Sequence, residues 1–267
     1  MFSFLEGEGA EVLVEPVTTW ICYLLNQSRA ALADRKNLGD DGVTTSWRQP
    51  QKRLAEAVRH SKKGATLHVA ERILTREYNR LREALGGTTH ELVNQLELVR
   101  VGHPYYNSRA GGGEGHLEVA KNIYYTNKGL CHMVLSLKPF GCMPSAQSDG
   151  AQAAVVSHFK DIIFLPIETS GEGDINAYSR VQMALGEAKL KCKEEFVACV
   201  KRTGYTLDEI RAYAADNREL RRPTLNVPKQ DGVIGKAANF VLFVAEKMRA
   251  NGAASAEVQQ EEAAAIA

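Results

Sequence analysis

The run Met133-Val134-Leu135-Ser136-Leu137-Lys138-Pro139-Phe140-Gly141-Cys142-Met143-Pro144-Ser145 carries the clearest structural signal in this chain. Met133 to Leu137 is a short apolar run of strand length, and Pro139, Gly141 and Pro144 mark a turn after it. In an open α/β sheet, ligands bind outside the carboxyl ends of the strands. A thiol at such a point, just ahead of a helix N-terminus, has its anionic form favoured electrostatically and suits metal or thiol chemistry. The same spacing also fits a small apolar side chain held in a tight Pro-rich turn. Both readings of Cys142 stand at this level.

Further along, Asp161-Ile162-Ile163-Phe164-Leu165-Pro166-Ile167-Glu168 reads as a second strand. Helical patterns lie at about 115–128 and 146–159, then at 175–202, 207–217 and 237–249. Short apolar runs alternating with helices predict an α/β fold, a parallel sheet with helices on both faces. Toward the N-terminus, 2–8 reads as the last turns of a helix, and Glu11-Val12-Leu13-Val14-Glu15 as a strand stopped by Pro16. A chain opening this way is expected to lack, or borrow, an earlier portion. After a helix over 18–36 and a turn at Asn37–Gly42, three helical segments at about 48–62, 65–86 and 88–101 form an inserted block covering roughly 37–101. Their expected breaks are Lys63-Gly64 and Gly86-Gly87, with Thr88 as N-cap and Glu91 completing a capping box. Residues 1–250 are read as one lobe, and the Ala-, Gln- and Glu-rich stretch 251–267 as a frayed tail.

Composition narrows the function classes. The 267 residues carry 33 basic and 32 acidic side chains, a net charge of +1 that predicts no nucleic-acid or anionic-membrane partner. No apolar run approaches the roughly 20 residues of a membrane helix, and the first residues lack the pattern of a signal peptide. The expected location is cytoplasmic. Five cysteines, odd in number and without a CxxC pair, argue against a disulfide framework or a self-contained zinc site. Cys131 lies at the other end of the strand from Cys142. Cys192 and Cys199 fall two turns apart on one helix, as packing residues do. The histidines show no HExxH spacing.

Two further loops carry chemistry-bearing residues. Asn107-Ser108-Arg109-Ala110-Gly111-Gly112-Gly113-Glu114-Gly115-His116 opens a helix, and its backbone amides could cradle an anion, with Gly111, Gly112, Gly113 and Gly115 as the contact points. It lacks the GK[ST] ending of a P-loop, so a flexible helix entry remains the other reading. Pro104-Tyr105-Tyr106 brings aromatics alongside, as a lid or as packing. Pro166-Ile167-Glu168-Thr169-Ser170-Gly171-Glu172-Gly173-Asp174 follows the second strand, where Glu168 would share the Cys142 crevice if the strands are neighbours. Arg180 would then pair with an acid or a ligand carboxylate. Glu168, Ser145 and Arg180 are the catalytic candidates. Asp40-Asp41-Gly42-Val43-Thr44-Thr45 lacks the preceding apolar strand of an actin-fold phosphate loop and is rejected.

Gly141-Cys142-Met143-Pro144, Pro166-Ile167-Glu168-Thr169 and Arg180 with Gln182 make the chain resemble a known family. It is similar to the 2-hydroxyacyl-CoA dehydratase-like region of CoA-substrate-specific enzyme activase-related proteins, over most of its length. The resemblance implies Rossmann-like or flavodoxin-like lobes holding an iron–sulfur cluster of the 4Fe–4S type between them. Cys142 is the one ligand position that carries over. The implied chemistry is ATP-driven, low-potential electron transfer to acyl-CoA-type substrates. The implied partners are an actin-like-fold ATPase activator and an N-terminal dehydratase lobe. Those regions lie outside this sequence, and Pro16-Val17-Thr18-Thr19-Trp20 stands where dehydratase subunits carry another cysteine. The remaining ligands are therefore expected from other lobes or a partner chain. Two other classes stay open: a non-catalytic scaffold remnant without a complete cluster, and a metal-free acyl-CoA-binding lobe using the glycine loop.

Overall fold

The computed structural model describes residues 1–38, 50–87, 89–111, 113–169 and 174–266. Its helices are α1 (Phe2–Gly7), α2 (Val17–Leu38), α3 (Pro50–Ala84), α4 (Gln95–Gly102), α5 (Gly115–Asn127), α6 (Met143–His158), α7 (Asp174–Thr203), α8 (Leu207–Asp216) and α9 (Lys236–Ile266). The strands β1 (Val134–Pro139) and β2 (Phe164–Thr169) flank α6 in sequence. They pair in parallel, Val134 opposite Phe164 through Pro139 opposite Thr169. Parallel pairing requires a crossover, and α6 supplies it in chain order. Helix dominates the described residues, and their sheet has two strands.

The chain divides into two compact units. One holds Met1–Val12, Tyr125–Phe140 and everything from Phe159 onward. Its strand pair is buried by Ile167 of β2 against Leu5 of α1 and Val181 and Leu185 of α7, with Leu135 and Leu165 beside them. A second cluster joins Ile210 of α8 and Leu220 to Val241 and Val244 of α9. The other unit holds Leu13–Tyr124 and Gly141–His158, with a core of Tyr23, Val93, Leu98, Leu117 and Ala120. Sequence pattern alone reads 1–250 as one lobe. The chain path crosses between the units at both ends of α6.

Four local expectations are corrected. The strand expected at Glu11–Glu15 does not form: residues 10–16 have no regular secondary structure, and Leu13 and Val14 are exposed. Strand-forming residues make a strand only where a neighbour and a core face receive them. The break expected at Lys63-Gly64 is also absent, because α3 runs through it. A mid-helix glycine costs only about 1 kcal/mol relative to alanine. At Gly64 an added Cβ would sit 3.7 Å from Leu32 of α2, so the glycine lies where the two helices pack. Past the end of α3 at Ala84, Gly86 and Gly87 are both left-handed at φ +77° and +69°, with Gly87 N–H donating to Arg82 O.

The third correction concerns the next helix. Thr88 lies outside the described residues, and Glu91 pairs with Arg82 at 3.0 Å. The N-cap is Asn94, whose Oδ1 accepts from Leu96 N and Glu97 N. At the other end of the chain, α9 continues through Ile266, well past the helix end expected at Arg249. The turn residues Gly39 to Gly42, and the rejected Asp40 segment, lie outside the described residues. No described helix is long and apolar enough to cross a membrane.

Ile167 is 1% exposed and touches both α1 and α7, so it reports directly on this core. Ile167→Ala should lower unfolding free energy by about 2–5 kcal/mol. Urea denaturation measures it, and an unchanged midpoint with an unchanged slope contradicts the packing.

Candidate functional site

Cys142 immediately precedes α6, and its carbonyl accepts the first helical bond, from Ala146 N at 2.9 Å. The thiol is half-buried. Cys142, Ser145, Ser148 and Gln152 follow at intervals of three, three and four, the spacing that aligns side chains on one helix face. Ser145, Ser148 and Gln152 are all buried. They meet Glu118 and Asn122 of α5, themselves four residues apart. Ser145 Oγ donates to Glu118 Oε1 at 2.9 Å, and Ser148 Oγ donates to Glu118 Oε2. Asn122 Nδ2 donates to Gln152 Oε1 at 2.8 Å, and Gln152 Nε2 to Glu118 O at 3.3 Å.

Ser145 Oγ also lies 3.3 Å from Cys142 Sγ. A hydroxyl has one proton, and an ionised carboxylate can only accept. The Ser145 proton therefore points to Glu118, leaving its oxygen to receive the Cys142 S–H. The result is a relay from thiol through hydroxyl to carboxylate. Lys121, on the same helix as Glu118, is pushed down by burial against the upward pull of Glu15, Glu118 and Glu114. A cation thus stands within electrostatic range of the carboxylate.

The glycine loop closes over the same turn. A Cβ at Gly113, where φ is +136°, would overlap the Pro144 ring. A Cβ at Gly115 would fall 2.8 Å from Tyr106 Oη and 3.0 Å from Pro144 O. Only glycine permits this approach. Tyr106 Oη in turn donates to Gln147 Oε1 of α6 at 3.0 Å. Packing against Pro144 and Tyr106 accounts for these two glycines. Gly111 is exposed with open space around it, and Gly112 lies outside the described residues.

The structure thus brings Ser145, Gly113 and Gly115 to the Cys142 turn. Glu168 and Arg180 belong to the other unit. Glu168 is the exposed register partner of Lys138 on the paired strands. Arg180 Nη2 donates to the Pro166 carbonyl at 3.2 Å, bracing α7 against β2. Ser170 to Gly173 lie outside the described residues. Sequence reasoning misses Glu118, Ser148 and Gln152. Their signal is the matched helical spacing of 142, 145, 148 and 152 and of 118 and 122.

The other cysteines differ in environment. Burial raises the thiols of Cys22, Cys192 and Cys199, and pushes Cys131 up to about 11. A raised thiol is a poor nucleophile and a poor ligand at neutral pH. Among the described residues, no group of three or more His, Cys, Asp or Glu side chains could hold a metal ion. One thiol at a helix N-terminus fits a single ligand position of a shared cluster. It does not fit a cluster held by these residues alone, which would need four thiolates. No protein-family model, curated protein or solved structure significantly matches the chain.

The relay makes a directional prediction. Glu118→Gln removes the nearby negative charge and frees the Ser145 proton to face sulfur. Both changes favour the thiolate, so Cys142 should alkylate faster with iodoacetamide at neutral pH, followed by peptide mass spectrometry. Slower or unchanged labelling in the folded variant sinks the relay.

His116, in the first turn of α5, is 1% exposed and stacks on Tyr23, and neither of its ring nitrogens has a hydrogen-bond partner among the described residues. Burial, and secondarily His103, lowers it from its ordinary 6.5 to about 4. Below pH 6.5 the unfolded chain binds a proton that the folded chain refuses. Stability should therefore fall as pH drops from about 6.5 toward about 4, and the loss should level off below that. Denaturation midpoints across this window should lose that slope in His116→Leu. A variant with the wild-type slope assigns the dependence to other groups.

Proposed function

We propose that Cys142 is a thiolate ligand for an iron–sulfur cluster completed by another lobe or chain, as the dehydratase-like resemblance implies. The carrying observation is the Cys142–Ser145–Glu118 relay at the start of α6. Ligation requires loss of the thiol proton, and the hydrogen-bonded chain to Ser145 and Glu118 fixes the position of the sulfur that loses it. The helix N-terminus then favours the anionic sulfur.

In this reading the chain is a C-terminal lobe of Rossmann-like or flavodoxin-like descent, and the parallel order β1–α6–β2 is one repeat of such a sheet. The cluster supplies low-potential, one-electron chemistry toward an acyl-CoA-type substrate, driven by an actin-like-fold ATPase partner in the cytoplasm. The chain's own residues hold one corner: Pro144 and the glycine loop fix the turn, and Ser145 and Glu118 position the sulfur. The competing reading is a non-catalytic interaction domain. It is favoured by α2, whose Val17, Trp20, Ile21 and Leu24 share one exposed face.

Anaerobic reconstitution with ferrous iron, sulfide and a small thiol to fill the other positions separates the two. The expected result is bound iron with a visible charge-transfer band and a reduced-state EPR signal, all lost in Cys142→Ser and kept in Cys199→Ser. Equal iron in the Cys142→Ser variant eliminates this ligand. Colourless wild-type protein favours the interaction domain.

A further inference from the structure

A second place with the makings of a site lies away from Cys142, at the amino ends of β1 and β2. A cavity of about 290 Å³ opens there, lined by residues of the strand-bearing unit. Its apolar walls include Met133, Val134, Ile162 and Ile163, and its polar groups include His132, Lys191 and Glu195. The volume is at the lower end of the range for small-molecule sites, which pair apolar walls with a few placed polar groups.

Glu195, on α7, is held rigidly. Its Oε1 accepts from Ile234 N at 2.6 Å and its Oε2 from Gly235 N at 2.8 Å, at the N-terminus of α9. The same Oε2 lies 3.2 Å from His132 Nε2, with both side chains largely buried. The carboxylate can only accept, so the Nε2 nitrogen carries the proton and Nδ1 is left to act as base or acceptor. Glu195, already engaged by three donors, has no need of a ligand. It orients the imidazole.

Lys191 stands one turn earlier on α7. Its Nζ donates to Asp161 O at 3.1 Å and lies 3.7 Å from Glu187. An ammonium has three donors, so at least one remains for a ligand. Cys131 shares the cavity, but burial pushes its thiol up to about 11 against the opposing pull of a Met133 backbone hydrogen bond and the Lys229 charge. A thiol held neutral in this way is a poor nucleophile.

We propose that this cavity binds a small monocarboxylate with an apolar body. The ligand's carboxylate takes Lys191 and a proton drawn from solvent onto His132 Nδ1, and the hydrocarbon lies against Met133, Val134, Ile162 and Ile163. The bound state places an imidazolium between two carboxylates, Glu195 and the ligand. No bond to carbon forms or breaks. This inference stands independently of the role assigned to Cys142.

The test uses the full chain labelled with nitrogen-15 and three matched probes: hexanoate, hexanamide and hexylamine. The expected result is that hexanoate shifts the amide signals of Cys131–Val134 and Ile162–Ile163. Hexanamide and hexylamine should bind at least about tenfold more weakly, the loss of one ion-pairing contact. Lys191→Met and His132→Leu should each weaken hexanoate by a comparable factor. Wild-type shifts carry the test alone if a variant fails to fold. Absence of shifts with hexanoate, equal binding of the amide or the amine, or hexanoate binding unchanged in both folded variants overturns the proposal.

Discussion

One carboxylate, Glu118, organises the unit that carries the candidate thiol. Two serine hydroxyls from α6 take its two oxygens, and the glutamine one turn further on returns to its own carbonyl. A half-buried charge needs such partners, because an unsatisfied one costs several kcal/mol. That requirement sets the rotation of α6 about its axis. With Ser145 and Ser148 turned to α5, Cys142 three residues earlier must lie on the same side. The sulfur's position is thus a consequence of satisfying Glu118, and a polar network of this kind tolerates few alternative arrangements.

The turn ahead of α6 is constrained from the other direction by close packing. Pro144 occupies the space that any side chain at residue 113 would need, and Tyr106 occupies the space at residue 115. The glycine-rich stretch, whose composition suggests an anion cradle, is explained at Gly113 and Gly115 by proximity to the cysteine turn. Chemistry and packing meet in the same few residues: the glycines let the loop approach, the proline fixes the turn, and the serine ties it to the carboxylate.

Legibility in the sequence follows periodicity. The strands at 134–139 and 164–169 and the long helix α7 are readable because apolar spacing and turn residues agree there. Glu11–Glu15 misleads because its composition suits a strand while its surroundings supply no partner. Gly64 misleads because the cost of a glycine inside a 35-residue helix is small against the packing of α3 on α2. At the site, Cys142 and Ser145 are visible as residues of a Pro-bounded turn. Glu118 is not, because nothing local ties residue 118 to residue 145. Only their tertiary meeting does so, and the same holds for His132 and Glu195, 63 residues apart.

Among the five thiols, Cys142 is the one placed at the start of a helix, just ahead of α6, and its proposed role as a ligand depends on that position. Timed alkylation of the native chain, with each cysteine quantified by mass spectrometry, tests this most directly. Cys142 should be modified first, about tenfold or more ahead of Cys22, Cys131, Cys192 and Cys199, whose thiols burial raises. Any of those four reacting as fast as Cys142 in the folded protein would contradict its assignment as the ligand thiol.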